Sequence, residues 1–161
     1  MSRAFDTIDR SRLLEILRED VKLGEDEMRM CQVLLAETKL QVRIKDILSE
    51  AFLTTIGTPQ GDALSPVLFA VYLERALRDL RSNVRDRPIE DLGLPLEALY
   101  ADDCDFFSIV LSHLQKLEQI IPPTIKQYNL MVNESKWERT TISEDATDWK
   151  KVKKLGSLLG G

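Results

Sequence analysis

Cysteine, histidine, basic charge and long apolar stretches are all scarce in this 161-residue chain, and each shortage removes a class of protein. Two cysteines, Cys31 and Cys104, offer neither a disulfide framework nor zinc-ligand spacing, and Cys104 reads as a small apolar strand residue. The single histidine, His113, has no partner motif, so it takes a structural or surface role rather than a catalytic one. The longest fully apolar run, Val67 to Leu73, is far too short to cross a bilayer. Met1 is followed by Ser-Arg-Ala rather than by the apolar core of a signal peptide, which fits a soluble intracellular protein, cytoplasmic or nuclear, without a membrane partner. The formal net charge of −5 argues against a chain that grips nucleic acid unaided, because phosphate contacts are made by Lys and Arg. No internal repeat or low-complexity tract is present.

What remains is 43% hydrophobic and 30% charged, enough for one domain over residues 1–161 with a modest core. After Asp9, an N-cap, the residues Leu13, Leu14, Leu17 and Val21 recur at helical spacing until Gly24. A second helix is expected over roughly 26–38, with Met28, Cys31, Leu34 and Leu35 on one face. Leu40, Val42 and Ile44 alternate with polar residues, and 51–56 is β-prone, so a hairpin is expected there. Ser65 and Pro66 open a long helix to about Arg81, with Leu68, Val71, Tyr72, Ala76 and Leu80 turned inward. A polar loop over 83–93 follows. A helix over about 112–120 should be broken or restarted by Pro122 and Pro123. Short strands are expected at 130–132 and 152–155. The whole reads as α+β: a small antiparallel or mixed sheet with helices packed on one face.

The most informative segment is Tyr100-Ala101-Asp102-Asp103, an acid pair between the apolar runs 96–101 and 104–107. This pattern predicts a β-hairpin with charge at its turn. Unpaired carboxylates are costly away from water, and two side by side suit a hard divalent cation, which makes phosphoryl transfer the first chemistry to consider. An ordinary Asp-Asp turn is the simpler alternative. Other motifs stand in series with it: Ala4-Phe5-Asp6, Gly57-Thr58-Pro59-Gln60-Gly61-Asp62-Ala63-Leu64-Ser65-Pro66, Asn133-Glu134-Ser135-Lys136 and Leu155-Gly156. In this order and spacing the chain resembles the palm of reverse transcriptases, most closely those of non-LTR retrotransposons and group II intron-like elements. The resemblance covers nearly the whole chain, and five motifs in order are far more specific than any one of them.

The resemblance implies an RNA-directed DNA polymerase working with Mg²⁺ or Mn²⁺ on an RNA template and a DNA primer, with the ions ~4 Å apart and bridged by carboxylates. Asp102 would be the bridging ligand, and Asp103 would support the metals or the primer end. Tyr100, two residues earlier, would share the side of Asp102 and pack beneath the primer terminus, or simply be a strand aromatic. Phe5 would be the aromatic gate that excludes a 2′-hydroxyl, Asp6 being structural. Gln60 and Gly61 would meet the incoming nucleotide or its template base from a loop entering a helix N-terminus. Lys136 would protonate the pyrophosphate leaving group, and Leu155 with Gly156 would form the primer grip. Lys150, Lys151, Lys153 and Lys154 are either a primer contact or a solvated strand edge. Asp62 replaces the family's frequent Ser, and Trp137 its usual Thr. The first Asp of the family pattern D-x-x-x-A-F-D would fall one position before Met1, and fingers and thumb are not in the sequence. The chain is therefore expected to be inactive alone, to bind nucleic acid weakly and to form a homodimer through an uncovered sheet edge. The alternative is a catalytically dead palm retained as a binding or assembly module.

Overall fold

The computed structural model describes residues 4–36, 38–58, 63–84, 97–100 and 103–140. They form two compact units, one of residues 5–75 and one of residues 1–4 with 76–161. The α+β expectation holds: four α-helices accompany three two-stranded antiparallel pairs among the described residues. The strands there do not join into one larger sheet.

The described chain begins with a 3-10 turn at Ala4–Asp6 that leads into the 5–75 unit. Helix α1 (Arg10–Glu19) starts where the sequence places it, because the Asp9 carboxylate accepts from the amides of Ser11 (2.9 Å) and Arg12 (3.1 Å). It stops earlier than Gly24: Lys22 takes a left-handed φ of 59°, and Gly24 instead caps the next helix. The inward stripe is Arg10, Leu13, Ile16 and Leu17, with Val21 outside it at 44% exposure. Helix α2 (Glu25–Leu34) is shorter than expected and buries Met28 and Cys31, with Leu35 buried at its cap, while Leu34 faces out. The expected hairpin follows as two nested ones. Strands β1 (Thr38–Leu40) and β4 (Phe52–Thr54) pair at its base, and β2 (Arg43–Ile44) and β3 (Ile47–Leu48) pair at its tip. This arm leaves Ile44, Ile47, Leu48 and Leu53 exposed.

Helix α3 (Ser65–Asn83) divides between the units at Arg75/Ala76. Its buried residues Leu68, Phe69, Tyr72, Leu73, Ala76, Leu77 and Leu80 make a stripe two residues wide, which adds Phe69, Leu73 and Leu77 to the expected face. Burial of a large apolar side chain contributes about 1.5–3 kcal/mol, so this stripe is a principal source of stability. In the 5–75 unit, Arg75 grips the Asp20 carboxylate at 3.0 and 3.1 Å.

In the second unit, β5 (Glu97–Tyr100) and β6 (Asp103–Phe106) form the acidic hairpin. Helix α4 (Leu111–Lys126) runs unbroken through Pro122 and Pro123, contrary to expectation. The prolines remove the amides that would reach the carbonyls of Glu118 and Gln119. Both prolines are exposed, so water can satisfy those carbonyls, and the buried side chains Leu117, Ile121, Thr124 and Ile125 carry the helix past the gap. The strand expected at 130–132 is absent. Asn129 (φ 55°) closes α4 with bonds from its amide to the Lys126 carbonyl (3.0 Å) and from the Leu130 amide to that of Ile125 (3.2 Å). This is a Schellman stop that commits Leu130 to the core as a helix cap contact. The Tyr128 hydroxyl donates to Asp79, which ties α4 to α3. Cys31 and Cys104 are buried free thiols, and His113 is buried on α4, as structural residues should be. Among the described residues no helix is long and apolar enough to cross a membrane. The polar loop beyond Val84, the strand at 152–155 and the lysine cluster lie outside the described residues.

Candidate active site

The hairpin pairs Glu97 with Phe106, Ala98 with Asp105, Leu99 with Cys104, and Tyr100 with Asp103. Directly opposed residues share a face, and successive residues alternate. One face therefore carries Cys104 and Phe106, both buried, together with Leu99 and Glu97. The other carries Tyr100, 83% exposed, with Asp103, Asp105 and Ala98. Tyr100 consequently stands opposite Asp103. Asp103 is the first residue of β6, a correction to the expectation that it belongs to the turn. Positions 101 and 102 lie between the paired residues, and Asp102 is outside the described residues.

The hairpin is anchored at its far end. Arg81 of α3 donates through Nε to Glu97 Oε1 at 2.6 Å and through Nη2 to the same oxygen, and the Glu97 side chain is only 9% exposed. An apolar face, one buried ion pair and an outward carboxylate edge make a platform that presents oxygen donors to solvent. Carboxylate oxygens suit a hard divalent cation. Among the described residues, no group of three His, Cys, Asp or Glu could hold a metal. Asp103 and Asp105 share the outward face of the hairpin. Asp105 was missed by motif reading, although its two-residue offset from Asp103 signals a shared strand face.

Of the other predicted site residues, Phe5 lies beside the Gly57 turn. Phe5 is half-buried and its ring lies 4.5 Å from that of Phe69 on α3, tilted by 30°. The Phe5 carbonyl accepts from the Thr58 amide at 2.9 Å, and the Ile8 carbonyl from the Gly57 amide at 2.8 Å. Asp9 and Ile56 form an antiparallel bridge beside them. Gly57 has φ +76°, and a Cβ there would stand 2.9 Å from the Cα and carbonyl oxygen of Asp6. Only glycine fits both demands. Phe5-Asp6 and Gly57-Thr58, far apart in sequence, are therefore brought together in the 5–75 unit. Gln60 and Gly61 lie outside the described residues, as do Leu155 and Gly156.

Lys136 sits in a 3-10 turn, Glu134–Lys136, with its amide on the Asn133 carbonyl at 3.0 Å. The turn is fixed by Asn133 Oδ1, which accepts from the Ser135 amide (3.1 Å) and hydroxyl (2.6 Å). Its side chain is exposed, with no hydrogen bond or ion pair among the described residues. Downstream, Arg139 forms a forked pair with Glu118, and the hydrogen bond and charge of that carboxylate raise the guanidinium pKa.

The family model described as reverse transcriptase (RNA-dependent DNA polymerase) matches residues 1–159. The chain belongs to the reverse transcriptase family. No curated protein matches it significantly. As a reverse transcriptase domain, it shares a family ancestry in nucleotidyl transfer on nucleic acid and in the use of divalent metal ions.

Proposed function

We propose that this chain is the palm of an RNA-directed DNA polymerase, adding dNTPs to a primer 3′-hydroxyl by two-metal catalysis. The observation that carries the reading is the β5–β6 register, which sets Tyr100 opposite the exposed Asp103 of the acid pair in a chain matched by the reverse transcriptase family model. Asp102 and Asp103 would hold Mg²⁺ or Mn²⁺. Bound metal supplies activation of the primer hydroxyl and neutralisation of triphosphate charge. The chain's own residues do the rest. Phe5, braced by Phe69 and by the Thr58 amide, presents ring bulk against a ribose 2′-hydroxyl. Gln60 and Gly61 orient the nucleotide, Lys136 delivers a proton to the leaving pyrophosphate, and Leu155 with Gly156 supports the primer strand.

The hairpin of this chain is proposed to bind a divalent metal ion through the Asp102 and Asp103 carboxylates. Thermal melts test the site itself. Mn²⁺ should raise the melting temperature of the parent but not of Asp103→Asn or Asp102→Asn. Without metal, Asp102→Asn should melt no lower than the parent, since adjacent like charges repel. Equal Mn²⁺ shifts in all three chains would remove the ligand assignment. The apolar residues exposed on the β1–β4 arm support homodimerisation, which light scattering over a concentration series checks.

A further inference from the structure

Arg10 lies on the buried stripe of α1 and is only 6% exposed, a costly place for a charge. All its partners are main-chain oxygens. Nε donates to the Gly57 carbonyl at 2.7 Å, and Nη1 to those of Ala36 and Thr54 at 2.9 Å each, with a longer 3.4 Å contact to Leu35. These carbonyls come from three segments: the exit of α2, the end of β4 and the Gly57 turn. A rigid planar fork can serve such divergent acceptors together, whereas an ammonium on a flexible stem offers no fixed set of directions.

Arg10 therefore does more than fill a core position. Gly57 takes a left-handed φ and lies so near the Asp6 backbone that a Cβ would stand 2.9 Å from it, and the next residue, Thr58, donates to the Phe5 carbonyl. The place of Phe5 depends on this turn, and the turn is clamped by Arg10. Resting on the reading of Phe5 as a nucleotide contact, we propose that Arg10 is a positioning residue for that site. It locks the Gly57 turn, so that the Phe5 ring is held at one depth.

The test uses the full chain, Arg10→Gln and Arg10→Lys, with two readouts. The first is amide hydrogen exchange. Loss of the clamp should raise exchange at Thr58 about tenfold while Ile16 and Leu17 inside α1 change much less. The second is the preference for dATP over ATP in Mn²⁺-supported competition binding. It should fall in both variants, because a looser turn lets the Phe5 ring yield to a 2′-hydroxyl. A general loss of stability would lower the melting temperature without changing that preference. If Arg10→Gln does not fold, Arg10→Lys decides: raised Thr58 exchange with a reduced preference supports the clamp, and native values of either overturn it. A parent chain that binds neither nucleotide would instead overturn the nucleotide reading of the site. Binding by the parent with unaltered preference in the variants would overturn the role of Arg10 alone.

Discussion

The Gly57 turn is enclosed by hydrogen bonds to the Phe5 and Ile8 carbonyls and from the buried Arg10, whereas the β5–β6 hairpin ends in Tyr100 and Asp103, both exposed. One region fixes backbone, the other offers side chains. Under the proposed function the difference follows from chemistry: a surface that shapes a sugar pocket must not move, while carboxylates awaiting a cation are cheapest when water solvates them until it arrives. Each region still has one buried charge. Arg10 spends its charge on carbonyl dipoles, and burial lowers its pKa, while Glu97 is matched by Arg81 at the base of the hairpin.

Substitutions should separate the two regions by size of effect. Arg10→Met should be the most damaging, by about 3 kcal/mol in urea unfolding, since it orphans acceptors from three segments at once. Gly57→Ala should cost about 2 kcal/mol through its left-handed φ and the Asp6 contact. Arg81→Met should cost about 1–2 kcal/mol, because Glu97 would remain largely buried without its cation while Arg81 itself is partly solvated. Asp103→Asn, at an exposed edge, should stay within about 0.5 kcal/mol of the parent without metal. If Asp103→Asn destabilised as much as Gly57→Ala, the contrast between an enclosed turn and an open platform would collapse.

Much of this was legible in the sequence wherever a local rule acts alone. The Asp9 cap, the hairpin around the acid pair and the Ser65-Pro66 helix start depend on neighbours in sequence, and each appears close to its expected place. The misreadings have tertiary causes. Pro122 and Pro123 should end a helix, but buried Leu117, Ile121 and Ile125 hold α4 across them. Leu130 has strand-like neighbours, yet the left-handed Asn129 makes it a cap contact. Arg10 escaped motif reading because no pattern names it. The available signal was an arginine in register with Leu13 and Leu17 on an apolar stripe. For the site, the pairing of Phe5 with Gly57-Thr58 could be expected only through family resemblance, as loop contacts between distant segments leave no periodic trace.

The central claim, that the acid pair of the hairpin is a metal and nucleotide site, is tested most directly by electron paramagnetic resonance of Mn²⁺ titrated into the chain with and without dATP. The account predicts bound Mn²⁺ in the parent, tightened by dATP and lost when Asp102 and Asp103 are both replaced by Asn. Mn²⁺ binding that is unaffected by the double substitution, or absent from the parent at every dATP concentration, would contradict it.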